Sequence, residues 1–126
     1  MKSQNKRAVG LFFEKVAEEW LFRSNYEVIG RNWHNGHTEL DLIVEKRNLR
    51  AFVEVKYLSG TSNYFPESKI NSKKWRNIIK SAHQFNVQYH NSKRIRFDII
   101  AIIKNQWSIQ LVHYKDTYSG FRWSCN

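Results

Sequence analysis

Apolar positions along the chain follow first a helical and then an alternating spacing. Between residues 7 and 24 an apolar side chain recurs every three or four positions, which is the period of one helix face. The recurring residues are Val9, Phe12, Phe13, Val16, Trp20 and Leu21. Asn25 follows, and it suits the end of a helix because asparagine tolerates left-handed backbone. The pattern therefore predicts a helix over residues 7–24.

The rest of the chain reads as strands interrupted by a second helix. The apolar runs predict strands at 26–33, 39–45, 50–57, 94–104 and 107–114, and a helix at 66–89. The order αβββαββ predicts an α/β fold, with a mixed central sheet flanked by helices. A length of 126 residues suits a single domain over 1–126, in which residues 115–126 form an unassigned polar and aromatic tail.

The net charge indicates which class of molecule the protein is expected to bind. The chain carries 21 basic and 11 acidic residues, a net charge of +10 that favours nucleic acid, with DNA expected over RNA. No apolar run approaches the roughly 20 residues that span a membrane, so no membrane partner is expected. No signal-peptide pattern opens the chain, which predicts a cytoplasmic location. The single cysteine, Cys125, cannot form an internal disulfide.

Charged side chains interrupt two strongly apolar strands. Asp41 lies within one run, and Glu54 and Lys56 lie within the next. If the strands form a hairpin that turns between residues 47 and 48, paired positions sum to 95. Asp41 then lies opposite Glu54, and Glu39 opposite Lys56, with Cβ atoms roughly 4.5–5.5 Å apart. Two carboxylates at that distance repel each other unless a proton or cation lies between them.

A hard divalent cation would satisfy this pair of carboxylates. Mg²⁺ or Mn²⁺ binds one or two carboxylates and keeps several waters, so Asp41 and Glu54 are predicted metal ligands and catalytic residues. Lys56 shares a strand face with Glu54 and is predicted to orient or deprotonate a water. The alternative is a solvent-facing salt bridge between Glu54 and Lys56.

Several short motifs, taken in order, resemble a known family. They are Gly10-x-x-x-Glu14, Gly30-Arg31-Asn32, Glu39-Leu40-Asp41-Leu42-Ile43, Phe52-Val53-Glu54-Val55-Lys56 and Arg96-Phe97-Asp98. Asp41 followed after twelve residues by Glu54-Val55-Lys56 resembles the PD-(D/E)XK signature of metal-dependent nucleases. More narrowly, the chain resembles the YraN-like family of uncharacterised bacterial proteins, which are related to Holliday-junction resolvases. The resemblance implies a restriction-endonuclease-like αβββαβ core.

The resemblance also implies roles for further residues. The backbone carbonyl of Val55 would be a third metal ligand, and Glu14 an auxiliary catalytic acid. From its position, Glu39 could be a further ligand or a partner of Lys56, and a supporting role behind the ligands is expected. A glycine at position 10 would let the helix approach the sheet closely. Related junction enzymes are often dimers, so a homodimer is expected by analogy.

This chain departs from the family pattern next to the site. The family usually has glycine where Thr38 stands, and often has arginine soon after the Val-Lys pair, where this chain has Tyr57 and Leu58. These departures concern substrate handling more than metal binding.

The second predicted helix is basic. Its predicted nucleic-acid contacts are Lys69, Lys73, Lys74, Arg76 and Lys80. Such cations bind backbone phosphates without reading sequence, although a solvated helix face is the usual fate of a charge run. Trp75 lies among them and is expected to stack on unpaired bases. Asp98, by contrast, is expected to form a buried ion pair with Arg96 or a nearby basic residue.

Three functions follow from these observations. The first is a Mg²⁺- or Mn²⁺-dependent endonuclease that hydrolyses phosphodiester bonds of DNA, including branched or flapped structures. The second is a non-catalytic nucleic-acid-binding module with a vestigial nuclease site, since a fold does not fix a function. The third is an interaction subunit whose basic face meets an acidic protein.

Overall fold

The computed structural model describes residues 2–59 and 71–118. Within these ranges the elements are α1 (Lys2–Arg23), β1 (Glu27–Asn35), β2 (Thr38–Lys46), β3 (Leu49–Ser59), α2 (Ser72–Gln88), β4 (Arg94–Lys104) and β5 (Ile109–Tyr114). Asn25 has a φ of 69°, so the first helix ends at a left-handed asparagine as the sequence predicts. No helix in the described part of the chain is long and apolar enough to cross a membrane.

The strands form one mixed sheet in the order β1-β2-β3-β4-β5. The pairs β1–β2, β2–β3 and β4–β5 are antiparallel, whereas β3 and β4 run parallel. Parallel neighbours need a crossover connection, and α2 lies in the segment that joins them. The predicted α/β fold is confirmed, and its arrangement matches a restriction-endonuclease-like core.

The helix α1 packs on one face of the sheet. Phe13, Ala17 and Leu21 recur every four residues and are buried against Leu42, Val44, Ala51, Val53, Ile100 and Ile102. Three residues that the sequence assigned to the apolar side, Val9, Phe12 and Trp20, are exposed instead. The helix is apolar on more than one side, so its sequence did not define a single buried face.

The helix α2 packs on the opposite face. Ile78, Ala82 and Phe85 are buried in a cluster with Leu40, Ile43, Phe52, Phe97 and Ile99. Gly30 assists this packing, because a Cβ there would lie 2.8 Å from Cδ1 of Ile43. The side chain of Asn71 caps α2 by accepting a 2.9 Å hydrogen bond from the backbone N–H of Lys74. The helix therefore begins at Ser72 rather than at 66, and residues 66–70 lie outside the described part.

Two further expectations are wrong. A Cβ added to Gly10 would meet no atom of the described residues within 4 Å, so this glycine does not permit a close approach of α1 to the sheet. The strand predicted from 107 begins at Ile109. The side chain of Asn105 accepts hydrogen bonds from the backbone N–H groups of Trp107 and Ser108, which shapes a turn there.

A buried ion pair in β4 follows the prediction. Arg96 donates from Nε and Nη2 to the carboxylate of Asp98, at 2.8 and 2.7 Å. His113 Nε2 lies 2.9 Å from the same carboxylate, and Trp20 Nε1 donates to His113 Nδ1 at 3.2 Å. Burial by itself would raise the pKa of Asp98, but the hydrogen bonds from His113 and Arg96 outweigh it and lower that pKa. This network joins α1, β4 and β5.

Candidate functional site

The β2–β3 hairpin brings the predicted acidic residues to one end of the sheet. Its register runs from Lys46–Leu49 to Leu42–Val53, and every pair sums to 95 as predicted. Asp41 with Glu54, and Glu39 with Lys56, would be the next pairs of the same face, but they lie beyond the last pair of the ladder. Instead, the backbone N–H of Val55 donates a 2.9 Å hydrogen bond to Oδ2 of Asp41. The carboxylate of Asp41 is thus held against β3 where pairing stops.

Glu14 joins this end of the sheet from α1. One carboxylate oxygen from each of Glu14, Glu39 and Asp41 lies within 4.8 Å of the others. Asn32 donates from Nδ2 to Oε1 of Glu14 at 2.8 Å, and its own φ is 46°. Asn32 was not among the site residues predicted from the sequence. The sequence feature that could have indicated such a role is an asparagine within a predicted strand, because asparagine tolerates left-handed backbone.

Glu39 lies with the acidic residues Glu14 and Asp41. Its Oε1 is also 3.1 Å from Nε2 of His34, in an exposed pair at the end of the β1–β2 hairpin. The predicted supporting role of Glu39 stays a prediction, now directed at Asp41 and Glu14.

Burial sets the electrostatics of the two central carboxylates. Burial raises the pKa of Asp41 to about 6, against the Val55 hydrogen bond and together with the negative charges of Glu14 and Glu39. Glu54 is only 4% exposed, and burial together with the charge of Asp41 raises its pKa to about 8. At neutral pH this pair therefore holds a proton more readily than free carboxylates would.

Two lysines flank Glu54. Lys74 of α2 places Nζ 3.7 Å from Oε2 of Glu54, on the sheet face that Glu54 shares with Lys56. Burial lowers the pKa of the half-buried Lys56 amine, and the neighbouring ammonium of Lys74 lowers it further, against the pull of Glu54. The lysine that the sequence placed on a phosphate-binding helix face thus reaches the carboxylate itself.

The donor set fits a hard divalent cation. Asp41 and Glu54 are carboxylates whose raised pKa values report a negative charge that the surroundings compensate incompletely. Carboxylate oxygens are what Mg²⁺ and Mn²⁺ take as ligands, and those of Glu14, Glu39 and Asp41 lie close enough together to share one ion. Val55 lies at the site through its N–H, and the role of its carbonyl stays a prediction.

The structure agrees with only part of the prediction for the basic helix α2: its cations are exposed, but its tryptophan is not. Lys73, Lys74, Arg76 and Lys80 are exposed on α2, whereas Lys69 lies outside the described residues. Trp75 is 5% exposed and packs against Phe97 and Tyr118, with ring centroids 6.3 and 4.9 Å away. The expectation that Trp75 stacks on unpaired bases is therefore wrong, because its ring belongs to the core.

Comparison with known proteins relates the whole site region to one family. The profile of the uncharacterised protein family UPF0102 matches residues 13–102. A UPF0102 protein of Parabacteroides distasonis is 35% identical over 106 residues, which cover 83% of this chain and 87% of that protein. A UPF0102 protein of Flavobacterium johnsoniae is 31% identical over 117 residues, 90% and 95% of the two chains. A UPF0102 protein of Persephonella marina is 34% identical over 106 residues, 83% and 88% of the two chains.

Proposed function

The chain belongs to the UPF0102 (YraN-like) family, and from that premise and its site geometry we propose that it is a metal-dependent nuclease acting on DNA. The observation that carries the proposal is the partly buried Asp41 and the buried Glu54 beside the amine of Lys56, at a site where burial raises the pKa of both carboxyl groups. A pair of ionisable groups whose environment shifts their pKa values in this way is typical of functional sites.

Each residue has a chemical task in this proposal. Asp41 and Glu54 would hold Mg²⁺ or Mn²⁺, with the Val55 carbonyl as the third protein ligand. When bound, such an ion supplies Lewis-acid polarisation of a phosphodiester and lowers the pKa of a coordinated water. The Val55 N–H fixes Asp41 for ligation through its 2.9 Å hydrogen bond. Glu14, held by Asn32, orients water on the α1 side of the site.

Lys56 would accept the proton of the attacking water. Its lowered pKa brings the neutral amine closer to the operating pH, which is the condition for accepting a proton from the attacking water. In its charged form, the same group stabilises negative charge that develops on the phosphate. The exposed cations Lys73, Arg76 and Lys80 of α2 would bind neighbouring phosphates without reading bases.

One observation favours a second candidate, a non-catalytic nucleic-acid-binding module. The Lys74 ammonium lies 3.7 Å from Glu54 and compensates part of the charge that a metal ion would neutralise. If that ion pair persists in solution with divalent cations present, the site would be structural and the basic helix would supply the binding.

Cleavage assays decide between the two candidates. Labelled single-stranded, duplex, flapped and four-way-junction DNA would be incubated with Mn²⁺ and wild type, Lys56→Ala or Asp41→Asn. Lys46→Ala is the matched control, since Lys46 is also a partly buried strand lysine but lies at the opposite end of the hairpin. Cleavage by wild type and Lys46→Ala that both site variants lose supports the nuclease. Binding without cleavage in all four proteins supports the module.

A further inference from the structure

Asn32 has an unusual backbone conformation for a residue within a strand. Its φ is 46°, in the left-handed region that costs free energy for any residue with a side chain. Among residues other than glycine, asparagine is one of the few that tolerate this region. The β1–β2 ladder pairs Trp33 with Leu40, so the neighbouring Asn32 lies across from Asp41. The strained residue is therefore opposite a predicted metal ligand.

The left-handed conformation brings two consecutive side chains of β1 to the same helix. Side chains normally alternate between the two faces of a strand, so Asn32 would be expected to point away from the face of Arg31. Arg31 forms a 2.6 Å ion pair with Glu18 of α1. Asn32 nevertheless donates from Nδ2 to Oε1 of Glu14, one turn earlier on the same helix, at 2.8 Å. The break in alternation at Asn32 accounts for both contacts.

The hydrogen bond from Asn32 restrains a carboxylate that lies beside Asp41. One oxygen from each of Glu14, Glu39 and Asp41 lies within 4.8 Å of the others. A glutamate side chain has many rotamers, and a fixed donor reduces the number that it adopts. The bond uses one of roughly four lone-pair positions of the Glu14 carboxylate. The remaining positions stay available to an ion or to a water that the ion holds.

An amide suits this position better than the other side chains that tolerate left-handed backbone. Glycine has no side-chain donor, and aspartate would place a second negative charge against Glu14. Asparagine combines tolerance of the backbone conformation with an uncharged N–H donor. Residues that orient the groups around a metal ion affect its affinity without touching it. The contact between Asn32 and Glu14 has the chemistry of such a support.

We propose that Asn32 is a positioning residue, which holds Glu14 toward the ion at Asp41 and retains its left-handed backbone for that purpose. The inference rests on the proposed function, because the ion is the one that the nuclease would use. Asn32 would touch neither the ion nor the DNA and would act only through Glu14. Its removal should therefore have no effect on metal binding once residue 14 no longer carries a carboxylate.

Calorimetric titration of the full chain with Mn²⁺, without DNA, tests this role. We expect Asn32→Gly to weaken Mn²⁺ binding about 10-fold, the lower end of what the loss of an orienting residue typically costs. Glu14→Gln should weaken binding at least as much. In the Glu14→Gln background, Asn32→Gly should change the affinity by less than about twofold, because two residues that act as one unit are not additive.

Two further variants separate positioning from folding. Asn32→Ala loses the same amide but accepts left-handed backbone less readily than glycine, so it should melt below Asn32→Gly and bind Mn²⁺ equally weakly. Asn25→Gly is the matched control, because Asn25 is also left-handed, with a φ of 69°, and is exposed. It lies past the C-terminal end of α1, roughly 15 Å along the helix axis from Glu14. Its replacement should leave Mn²⁺ affinity unchanged.

The outcomes distinguish this role from the nuclease proposal. Weaker Mn²⁺ binding in Asn32→Gly that disappears in the Glu14→Gln background supports the positioning role, even if wild type cleaves no DNA. Mn²⁺ binding and cleavage by wild type, with equal affinity in Asn32→Gly, overturn the positioning role alone. A wild type that binds no Mn²⁺ overturns both proposals. Equal weakening with and without the Glu14 carboxylate also overturns the positioning role, as does an equal loss of affinity in Asn25→Gly.

Discussion

The backbone N–H of Val55 donates its hydrogen bond to Oδ2 of Asp41 just beyond the β2–β3 ladder, whose last pair is Leu42 with Val53. A strand that loses its partner normally leaves such a donor to water. Here the side chain of one strand satisfies the backbone of the other, so a hydrogen bond within the protein positions the carboxylate of Asp41. Glu54 retains most of the electrostatic cost of burial.

That cost predicts how Glu54 affects stability. Its pKa rises from an ordinary 4.5 to about 8, so between these values the folded state binds a proton more tightly than the unfolded state. The free energy of unfolding should then fall as pH rises from 4.5 to 8. In EDTA, Glu54→Gln should lie close to wild type at pH 5 and exceed it by on the order of 4 kcal/mol at pH 9. Urea unfolding across this range measures the difference.

The exposed glutamate Glu19 offers a control for this titration. It pairs with Arg23 at 3.0 Å on the surface of α1, so Glu19→Gln should leave the pH dependence unchanged. A decline in Glu54→Gln as steep as in wild type would show that the burial of Glu54 is compensated in solution.

Metal binding should release a proton at neutral pH. At pH 7 Asp41, with a pKa of about 6, is mostly ionised, whereas Glu54, with a pKa of about 8, is mostly protonated. Because a ligating carboxylate must be deprotonated, Mn²⁺ should displace about one proton from the protein. Calorimetric titrations in two buffers of different ionisation enthalpy measure that number. Glu54→Gln should release close to none, and a wild-type value near zero would argue against ligation by Glu54.

Arg50 should be among the costliest side chains to remove outside the candidate site. It is buried and donates to Glu45, to the side chain of Asn86 and to the backbone carbonyl of Tyr89, at 2.8 to 2.9 Å. These bonds tie β3 to β2 and α2. Arg50→Ala leaves a partly buried Glu45 with reduced compensation, so we expect a loss of roughly 3–5 kcal/mol. Thermal or urea unfolding checks this value.

Surface ion pairs give the comparison for Arg50. Arg31→Ala removes an exposed pair with Glu18 at 2.6 Å and should cost less than about 1 kcal/mol. Equal losses of stability in the two variants would mean that the Arg50 network contributes no more than an exposed pair.

The cations of α2 should govern the salt dependence of DNA binding. Lys73 and Arg76 are exposed, and removing a cation that binds a phosphate should lower the slope of log K against log salt by about 0.9. Lys73→Ala with Arg76→Ala should therefore flatten the slope by up to about 2 and weaken all sequences alike, with no change in melting temperature. Anisotropy titrations at several salt concentrations measure the slope. An unchanged slope would place the DNA path away from α2.

The local pattern of apolar and polar residues was sufficient to predict the strand pairing next to the site. Side chains alternate faces with a period of two, and a short turn leaves few registers that keep Leu42, Val44 and Ile43 on apolar faces. The hairpin register was therefore determined by the sequence, and so was the co-location of Asp41 with the Glu54 strand. The buried Arg96–Asp98 pair followed from a charge pattern inside an apolar strand.

Packing across the sheet decided the rest. The way in which α1 and α2 lie on the two sheet faces determines which side chains meet. It brings Glu14 to Asp41 and Lys74 to Glu54. It also buries Trp75 and leaves Tyr57 exposed. Helical periodicity gives the spacing of side chains but not the rotation of a helix that is apolar on several sides. For this protein the sequence determined which charges enter the strands and, through the family resemblance, that Glu14 belongs to the site. The tertiary structure determined that Lys74 meets Glu54 and that Asn32 holds Glu14, because those contacts join segments far apart in the chain.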